Sequence, residues 1–297
     1  MPSLKEIKGR IGSVKSTLKI TSAMKLVSSA KLRKAQQAIG SMLPYQEALQ
    51  SMLSTLVAGR GISGEFTRER DEIHSVAIVA VASNSSLCGG FNANAVRKVM
   101  EALREYEKKG ITVTVYSIGR KMAESMRKIG KDNPEMPKDH VALSGSPAYD
   151  GAAALASSLI QSYLEGKFDR IELIYNHFVS TGTQSVTREA WIPLSVESDT
   201  QEFPAPEAIS DREVAGYIVE PSVHELIEEL LPKTLRLKIY TVLLDSAAAE
   251  HAARTVAMQT ATDNGEDLLD ELTLEYNKGR QQKITSEILD LVGGTMK

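Results

Sequence analysis

The sequence predicts an α/β protein in which a long antiparallel two-helix coiled coil, built from the two ends of the chain, is interrupted by an inserted α/β domain. Apolar residues near both ends recur at spacings of three and four, as in coiled-coil helices. Between the ends, β-branched runs alternate with amphipathic segments, as in α/β layer domains. Lys and Arg outnumber Asp and Glu by 9 to 1 in residues 1–40, whereas residues 211–297 hold 9 against 16. The two ends are therefore electrostatically complementary and are predicted to pair.

The first predicted helix begins at a capping box, in which Ser3 and Glu6 satisfy free backbone donors of the first turn. The next proline along the chain is Pro44. We expect the helix to continue past Pro44 to about residue 58 and to form a domain over residues 1–58. Its coiled-coil stripe consists of Leu4, Ile7, Ile11, Val14 and Leu18.

The middle of the chain predicts a Rossmann-like α/β domain over residues 72–195 with a mainly parallel sheet. Gly110, Gly130 and Gly166 follow the amphipathic segments, at positions where a left-handed glycine commonly ends a helix. The Pro-rich, acidic stretch over residues 195–208 is expected to be a return linker. Strands are expected over residues 75–82, 111–117, 170–175 and 185–192.

The C-terminal domain is predicted over residues 209–297 and contains a second capping pattern from Ser222 to Glu225. Pro232 predicts a short helix, a kink and then a very long helix. At 1.5 Å per residue, a helix of about sixty residues is roughly 90 Å long and must project from a domain of ordinary size. Its predicted apolar seam comprises Met258, Ala261, Gly265, Leu268 and Leu272, followed less regularly by Tyr276, Ile284, Ile288 and Leu291.

The segment over residues 83–92 follows the first strand and precedes a helix, where dinucleotide folds bind phosphate. It contains no GxGxxG, no Walker motif and no basic residue, so a tight turn or a protein-contact loop is favoured over a phosphate site. Cys88 has no identifiable His partner and is predicted to be a small buried residue. His177, Ser180 and Asp169 are the residue types of a catalytic triad, but no nucleophile elbow accompanies them. We expect no catalytic site, metal or cofactor.

Composition narrows the class of protein further. The longest aliphatic run is far shorter than the ~20 residues that span a bilayer, and no secretory signal is visible, so no membrane span is expected. A single cysteine fits a reducing compartment. The basic N-terminal face invites a nucleic-acid hypothesis, but no aromatic residue precedes Tyr45 to stack on bases. An acidic protein surface is therefore the favoured partner.

Two ordered sets of residues stand at the ends of the chain. The N-terminal set comprises residues 10–15, 19–27 and 30–35, and the C-terminal set comprises residues 257–258, 261–262, 264, 276–277, 280–281, 284–285 and 287–288. Together they resemble the gamma-subunit family of F-type ATP synthases, and the resemblance covers essentially the whole chain. The loop motif Leu-Cys-Gly is a partial match, because Asn84 and Ser86 stand where that family usually has Asp and Gly. The cysteine pair of the chloroplast-type insert is missing.

The resemblance implies a non-catalytic central rotor shaft that couples ion-driven rotation of a membrane ring to ATP synthesis and hydrolysis. The implied partners are the alpha and beta subunits, with one shaft per hexamer, the epsilon subunit and the membrane c-ring. Catalysis would belong to the beta subunits. The implied location is the cytoplasmic face of a bacterial plasma membrane, as a peripheral subunit.

At the level of residues, the resemblance implies that Arg280 and Gln281 form a catch, a hydrogen-bonded contact with an acidic loop of beta. It implies that Met24 lies opposite them on the shorter N-terminal helix, with Lys25 near enough to join the contact. The loop that meets the beta lever and epsilon would comprise Leu87, Cys88, Gly89 and Gly90.

Two other classes of protein fit part of the sequence. An α/β enzyme that dimerises through helical arms would account for the middle domain, but it should carry a phosphate or substrate signature. A structural coiled-coil adaptor would account for the arms, but it leaves the ordered residues at both ends unexplained. Binding to alpha and beta subunits separates these hypotheses from the rotor shaft.

Overall fold

The computed structural model describes residues 3–58, 66, 70, 72–130, 140–194 and 222–295. The predicted linker over residues 195–208 and the predicted start of the C-terminal domain at residue 209 lie outside these ranges. The described elements are, in chain order, α1 (Leu4–Ala58), β1 (Ser75–Val81), α2 (Phe91–Lys108), β2 (Thr112–Ile118), α3 (Arg120–Lys128), α4 (His140–Gly145), α5 (Tyr149–Leu164), β3 (Arg170–Phe178), β4 (Gln184–Ile192) and α6 (Val223–Thr295).

The two long helices begin at serine caps, as the sequence predicts. Ser3 Oγ accepts a hydrogen bond from the Glu6 backbone N–H at 3.2 Å, and Ser222 Oγ accepts one from Glu225 at the same distance. Helix α1 continues through Pro44 to Ala58, which confirms the expected extension. The predicted division of the C-terminal helix at Pro232 is wrong, because one helix covers residues 223–295.

Burial explains why α6 continues through Pro232. A proline inside a helix removes one backbone hydrogen bond and clashes with the preceding turn, at a cost of about 3 kcal/mol. Leu231 and Leu235, on either side of Pro232, are buried in the core of the sheet. Burial of two leucines contributes about 3 kcal/mol or more, which is enough to hold the helix together there.

The four described strands form one sheet in the order β2-β1-β3-β4. Strand β1 is parallel to both β2 and β3, and only the edge strand β4 is antiparallel, so the prediction of a mainly parallel sheet is confirmed. The predicted helix-ending glycines Gly110, Gly130 and Gly166 have φ values of 70°, 66° and 77°. These positive angles suit glycine because it has no Cβ.

Contacts group the chain into two compact units whose boundaries fall inside the long helices. The sheet unit spans residues 31–253, and the coiled-coil unit combines residues 1–30 with residues 254–297. In the sheet unit, one face of the sheet packs on α5 and the first half of α6, and the other packs on α2 and α3. The predicted domain boundaries at residues 58, 72, 195 and 209 stay predictions.

In the coiled-coil unit, α1 and α6 pair antiparallel in one constant register. A Cβ atom placed on Gly279 would lie 3.1 Å from Leu4 Cδ2, and one placed on Gly265 would lie 2.8 Å from Leu18 Cδ2. Thr21 Oγ1 lies 2.9 Å from Thr262 Oγ1. Each step forward along α1 is thus matched by an equal step back along α6, as an antiparallel coiled coil requires.

Part of the predicted seam of α6 is wrong. Leu268 is 44% exposed, and its neighbour Leu269 is the partly buried residue instead. Ile284, Ile288 and Leu291 are exposed as well, because Gly279 already lies against Leu4 in the first turn of α1. Within the described residues, α6 therefore continues over residues 280–295 beyond its pairing with α1.

Candidate partner-binding sites

The loop between β1 and α2 is a tightly bonded turn centred on Asn92. The Asn92 side chain accepts a hydrogen bond from the Ser83 backbone N–H at 2.9 Å. Its amide group donates to Ser83 Oγ at 2.8 Å and to Cys88 Sγ at 3.2 Å. The Ser83 hydroxyl also lies 2.6 Å from the Ser85 carbonyl oxygen. These bonds close the loop on itself, which supports the interpretation of this segment as a tight turn.

The same bonds fix how the four predicted loop residues are presented. Cys88 is buried, as predicted, and its sulfur points into the turn. Leu87 is 60% exposed and has a φ of 66°, a conformation that non-glycine residues rarely adopt. Gly89 has a φ of 57°, and Gly90 immediately precedes α2. The strained backbone thus holds one large apolar side chain out from the surface.

The other side of this loop packs on α6. Cys88 and Phe91 form a small apolar cluster with Ala249 and Ala253, and Phe178 at the end of β3 packs against it. Alanines at these positions let the α6 backbone approach the loop closely. In open α/β sheets this edge, at the carboxyl ends of the parallel strands, is the usual ligand crevice. Here side chains of the fold occupy it.

Neighbouring groups fill the edge next to β2 in the same way. Asn84 donates from its side-chain amide to the Val141 carbonyl oxygen at 2.6 Å and accepts from the Arg120 backbone N–H at 3.0 Å. Ser144 Oγ donates to the Ala82 carbonyl oxygen at 2.7 Å. One of the free backbone N–H groups in the first turn of α3 is thus bonded to Asn84.

The residues with triad chemistry do not come together. His177 Nδ1 lies 2.6 Å from Asp245 Oδ2 on α6, and Asp245 Oδ1 accepts the Phe178 backbone N–H at 2.9 Å. Asp169 instead bonds Arg70 and the backbone N–H groups of His74 and Ser75. The His177–Asp245 pair thus joins the end of β3 to α6, a role that sequence reasoning missed because it depends on tertiary packing.

Two buried polar networks stabilise the sheet unit. Glu172 on β3 accepts hydrogen bonds from the Tyr106 hydroxyl at 2.6 Å and from Arg188 Nε at 2.8 Å. Burial, with help from that bond, raises the pKa of Tyr106 to about 12. Burial by itself would raise the pKa of Asp169, but the bonds from His74, Ser75 and Arg70 outweigh it and lower that pKa. In both networks each charge faces a fixed protein partner.

The predicted catch residues lie on the part of α6 that continues beyond its pairing with α1. Arg280 and Gln281 are both exposed, and they directly follow Gly279, which packs on Leu4. Met24 and Lys25 are partly buried, close to Thr21 and therefore close to Thr262.

The implied placement of Met24 opposite Arg280 is therefore wrong. Twenty residues separate Leu4 from Met24 along α1. At 1.5 Å per residue this is roughly 30 Å along the helix axis. The sequence could not show this because it fixes the spacing within each helix but not the register between them.

The described residues contain no group of three or more His, Cys, Asp or Glu side chains arranged to hold a metal ion. Across the same ranges, no helix combines the length and apolar character that crossing a bilayer demands.

Comparison with known proteins identifies the family. A family model described as ATP synthase matches residues 3–296. The ATP synthase gamma chain of Phocaeicola vulgatus is 50% identical, with 100% of both chains covered. That of Bacteroides thetaiotaomicron is 46% identical with the same coverage, and that of Flavobacterium johnsoniae is 41% identical over 99% of this chain and 98% of its own.

Solved structures support the fold. The rotor of the Euglena gracilis mitochondrial ATP synthase contains a chain with a TM-score of 0.60 and 17% identity, covering 95% of this chain and 98% of that one. A second Euglena gracilis structure, of the OSCP/F1/c-ring assembly, gives a TM-score of 0.62 at 16% identity, with coverage of 99% and 93%. On the strength of the full-length sequence matches, the chain belongs to the family of ATP synthase gamma chains.

Proposed function

We propose that this chain is the central rotor shaft of an F-type ATP synthase, coupling ion-driven rotation of a membrane ring to catalysis at the beta subunits. The observation that carries the proposal is that, among the described residues, α6 continues over residues 280–295 beyond its pairing with α1. Ile284, Ile288 and Leu289 are all about half exposed or more on it. Large apolar side chains exposed along a helix in this way indicate a surface that partner subunits cover.

The proposed partners are the alpha and beta subunits in a hexamer with one shaft, the epsilon subunit and the c-ring. The structural neighbours come from a central stalk with a c-ring, a rotor and an OSCP/F1/c-ring assembly, which fits this set of partners. In energetic terms, each orientation of the shaft favours a different conformation of each beta subunit through different contacts. The shaft would be peripheral, at the cytoplasmic face of a bacterial plasma membrane.

The chain itself is proposed to be non-catalytic. The crevice at the carboxyl ends of the strands, where an α/β enzyme would bind substrate, is occupied by Cys88, Phe91 and the alanines of α6. The loop over residues 83–92, where a dinucleotide fold would bind phosphate, is closed on itself by the hydrogen bonds of Asn92. ATP chemistry is therefore assigned to the partner subunits.

Two surfaces of the chain are proposed to contact partners. Arg280 and Gln281, exposed beside each other, present cationic and amide donors to an acidic loop of beta, with Met24 and Lys25 forming a second contact farther along the shaft. The loop of Leu87, Cys88, Gly89 and Gly90 is proposed to meet the beta lever and epsilon. Leu87 is the exposed anchor of that loop, because strained backbone holds it outward.

Reconstitution tests the shaft proposal. The purified chain is mixed with alpha and beta subunits of the same source, and any complex is isolated and assayed for ATPase activity. We expect one copy per hexamer and activity that depends on the chain. If competent subunits form no complex with the folded chain, the shaft proposal fails.

A matched pair of variants tests the catch. In an assembled complex, Arg280→Leu with Gln281→Leu removes the donors, and we expect ATP-driven proton pumping to fall several-fold while assembly persists. The control is Gln282→Leu with Lys283→Leu, which removes the same chemistry from the next two residues, also exposed. Full pumping by the Arg280 and Gln281 variant, or equal loss in both, would contradict the catch assignment.

A further inference from the structure

Two glycines of α6 sit on the face that meets α1, inside a long helix. Glycine in a helix interior is less favourable than alanine, so its presence there needs a compensating contact. A Cβ on Gly265 would lie 2.8 Å from Leu18 Cδ2, and one on Gly279 would lie 3.1 Å from Leu4 Cδ2. Gly9 and Gly12 of α1 differ, since a Cβ on either would meet nothing within 4 Å. Gly265 and Gly279 are therefore sockets for two leucines.

A buried hydroxyl pair lies next to one socket. Thr21 Oγ1 and Thr262 Oγ1 are 2.9 Å apart, and both residues are buried. Thr21 also donates to the Leu18 carbonyl oxygen at 3.1 Å. A slip of seven residues in either direction would separate the two hydroxyls, and one of them would then face an apolar side chain, Val14 or Leu269. A single polar layer of this kind favours one register over others in coiled coils.

The alternative registers are also blocked sterically. Apolar seams repeat every heptad, so the competing arrangement is a slip by seven residues. Such a slip would bring Leu18 against Met258 or Leu272 in place of Gly265, and both are buried in the seam. Two large side chains would then compete for the space that one leucine and one glycine now fill, and such overpacking is destabilising.

The register decides how far α6 extends beyond α1. Arg280 and Gln281 directly follow Gly279, which contacts the first turn of α1. A slip of one heptad would move these two residues by about 10 Å along the shaft relative to Met24 and Lys25.

We propose that the Leu4–Gly279 and Leu18–Gly265 contacts, with the Thr21–Thr262 pair, are positioning elements. They fix the coiled-coil register and thereby the axial position at which Arg280 and Gln281 meet the partner. This inference rests on the proposed rotor function for its consequence, but the register itself can be measured without it.

Disulfide cross-linking measures the register in the full chain. In a Cys88→Ala background, Val14→Cys with Leu269→Cys reports the observed register, because these positions lie four residues from Leu18 and Gly265. Val14→Cys with Tyr276→Cys reports a slip of one heptad. We expect the first pair to cross-link at least five times more than the second.

The sockets are then filled and exchanged. Gly265→Leu should lower the first cross-link several-fold and reduce proton pumping per ATP in the assembled complex. The exchange variant, Leu18→Gly with Gly265→Leu, restores one leucine facing one glycine and should recover more than half of both signals. A Gly265→Leu chain that keeps the first cross-link in full would overturn the socket proposal.

Two further outcomes complete the test. If Gly265→Leu does not fold, the exchange variant decides: recovery of the first cross-link supports the sockets, and persistent unfolding or slippage overturns them. If the register shifts while pumping stays unchanged, the positioning claim fails and the rotor function stands. Failure of the wild-type chain to assemble with alpha and beta subunits is a separate result, which affects the proposed function alone.

Discussion

The sheet unit and the coiled-coil unit use burial in opposite ways. In the sheet unit, six of the seven residues of β1 are buried, because the strand is covered on both faces. Among the described residues 3–30 of the coiled-coil unit, by contrast, the buried residues are Ile7, Thr21 and Ser28, which lie one or two heptads apart. A substitution in the first unit disturbs a shared core, whereas one in the second disturbs a single pairwise contact. We therefore expect stability effects to concentrate in the sheet unit and register effects in the coiled coil.

Two glycines make the contrast concrete. A Cβ on Gly119, between β2 and α3, would overlap the carbonyl oxygen of Ala82, which belongs to the backbone and cannot move aside. A Cβ on Gly265 would meet only the end of the Leu18 side chain, which can rotate. Glycine is thus required at position 119 because a rigid backbone atom of the sheet unit lies close to it. At position 265 it is required because a flexible side chain of the coiled coil lies close to it.

The largest effect is expected for Gly119→Ala. Its φ of 92° is unfavourable for alanine and the added methyl overlaps Ala82, so we expect a loss of more than about 3 kcal/mol and little folded sheet unit. Urea unfolding followed by tryptophan fluorescence measures it, because Trp191 is buried in this core. Gly130→Ala is the control, with a φ of 66° but open space, and should cost about 1–2 kcal/mol. Equal losses of stability in the two variants would show that the close approach of Gly119 to Ala82 is unimportant.

A second large effect is expected for Glu172→Gln. The change removes the charge that faces Arg188 and Arg170 in a buried site, and breaking a buried ion pair costs about 3–5 kcal/mol. Because Arg188 keeps Glu105 as a second partner, we expect the lower end of that range. The midpoint of urea unfolding provides the measurement. Glu101→Gln, at an exposed position of α2, serves as the control. If Glu172→Gln lowers the stability no more than Glu101→Gln does, the stabilising role of the network is contradicted.

A smaller, pH-dependent effect is expected at Asp169. Its pKa is lowered in the folded state, so the unfolded chain binds more protons as the pH falls. The stabilisation is therefore complete above the ordinary pKa of about 4 and is lost as the pH drops through the folded value. Asp169→Asn should cost about 1–3 kcal/mol at pH 7. In unfolding curves from pH 7 to pH 3, the gap from wild type should narrow; a constant gap would assign the effect to packing instead.

The smallest effect tests the coiled-coil side of the comparison. Gly12→Ala adds a methyl group in open space on α1, so helix propensity should raise stability by about 0.5–1 kcal/mol. Gly265→Ala gains the same propensity but crowds Leu18, so its net gain should be smaller or reversed. Helical circular dichroism during urea unfolding compares the two. An equal gain in both would remove the argument that Gly265 is a socket.

Much of the fold was predictable because the signals are local. The β-branched runs predicted both ends of the four described strands to within three residues. For β3, the predicted end is residue 175 and the observed end is Phe178. Serine caps at Ser3 and Ser222 and the left-handed glycines were likewise visible, since each depends on its own few neighbours. The four loop residues around Cys88 could be singled out by motif, but the strained φ of Leu87 could not.

The sequence by itself determined the helices, the strands and the stripes along each helix, because propensity and periodicity act over a few residues. Only the tertiary structure decided how the stripes pair. Packing partly buries Leu269 rather than Leu268 in the coiled-coil seam. It places Arg280 beyond Leu4 rather than opposite Met24. It also brings Glu172 into hydrogen bonds with Tyr106 and Arg188. The helix register and the buried hydrogen-bond networks depend on contacts between residues that are far apart in the chain. Periodicity alone does not distinguish the possible registers, so side-chain volume and hydrogen-bond geometry decide between them.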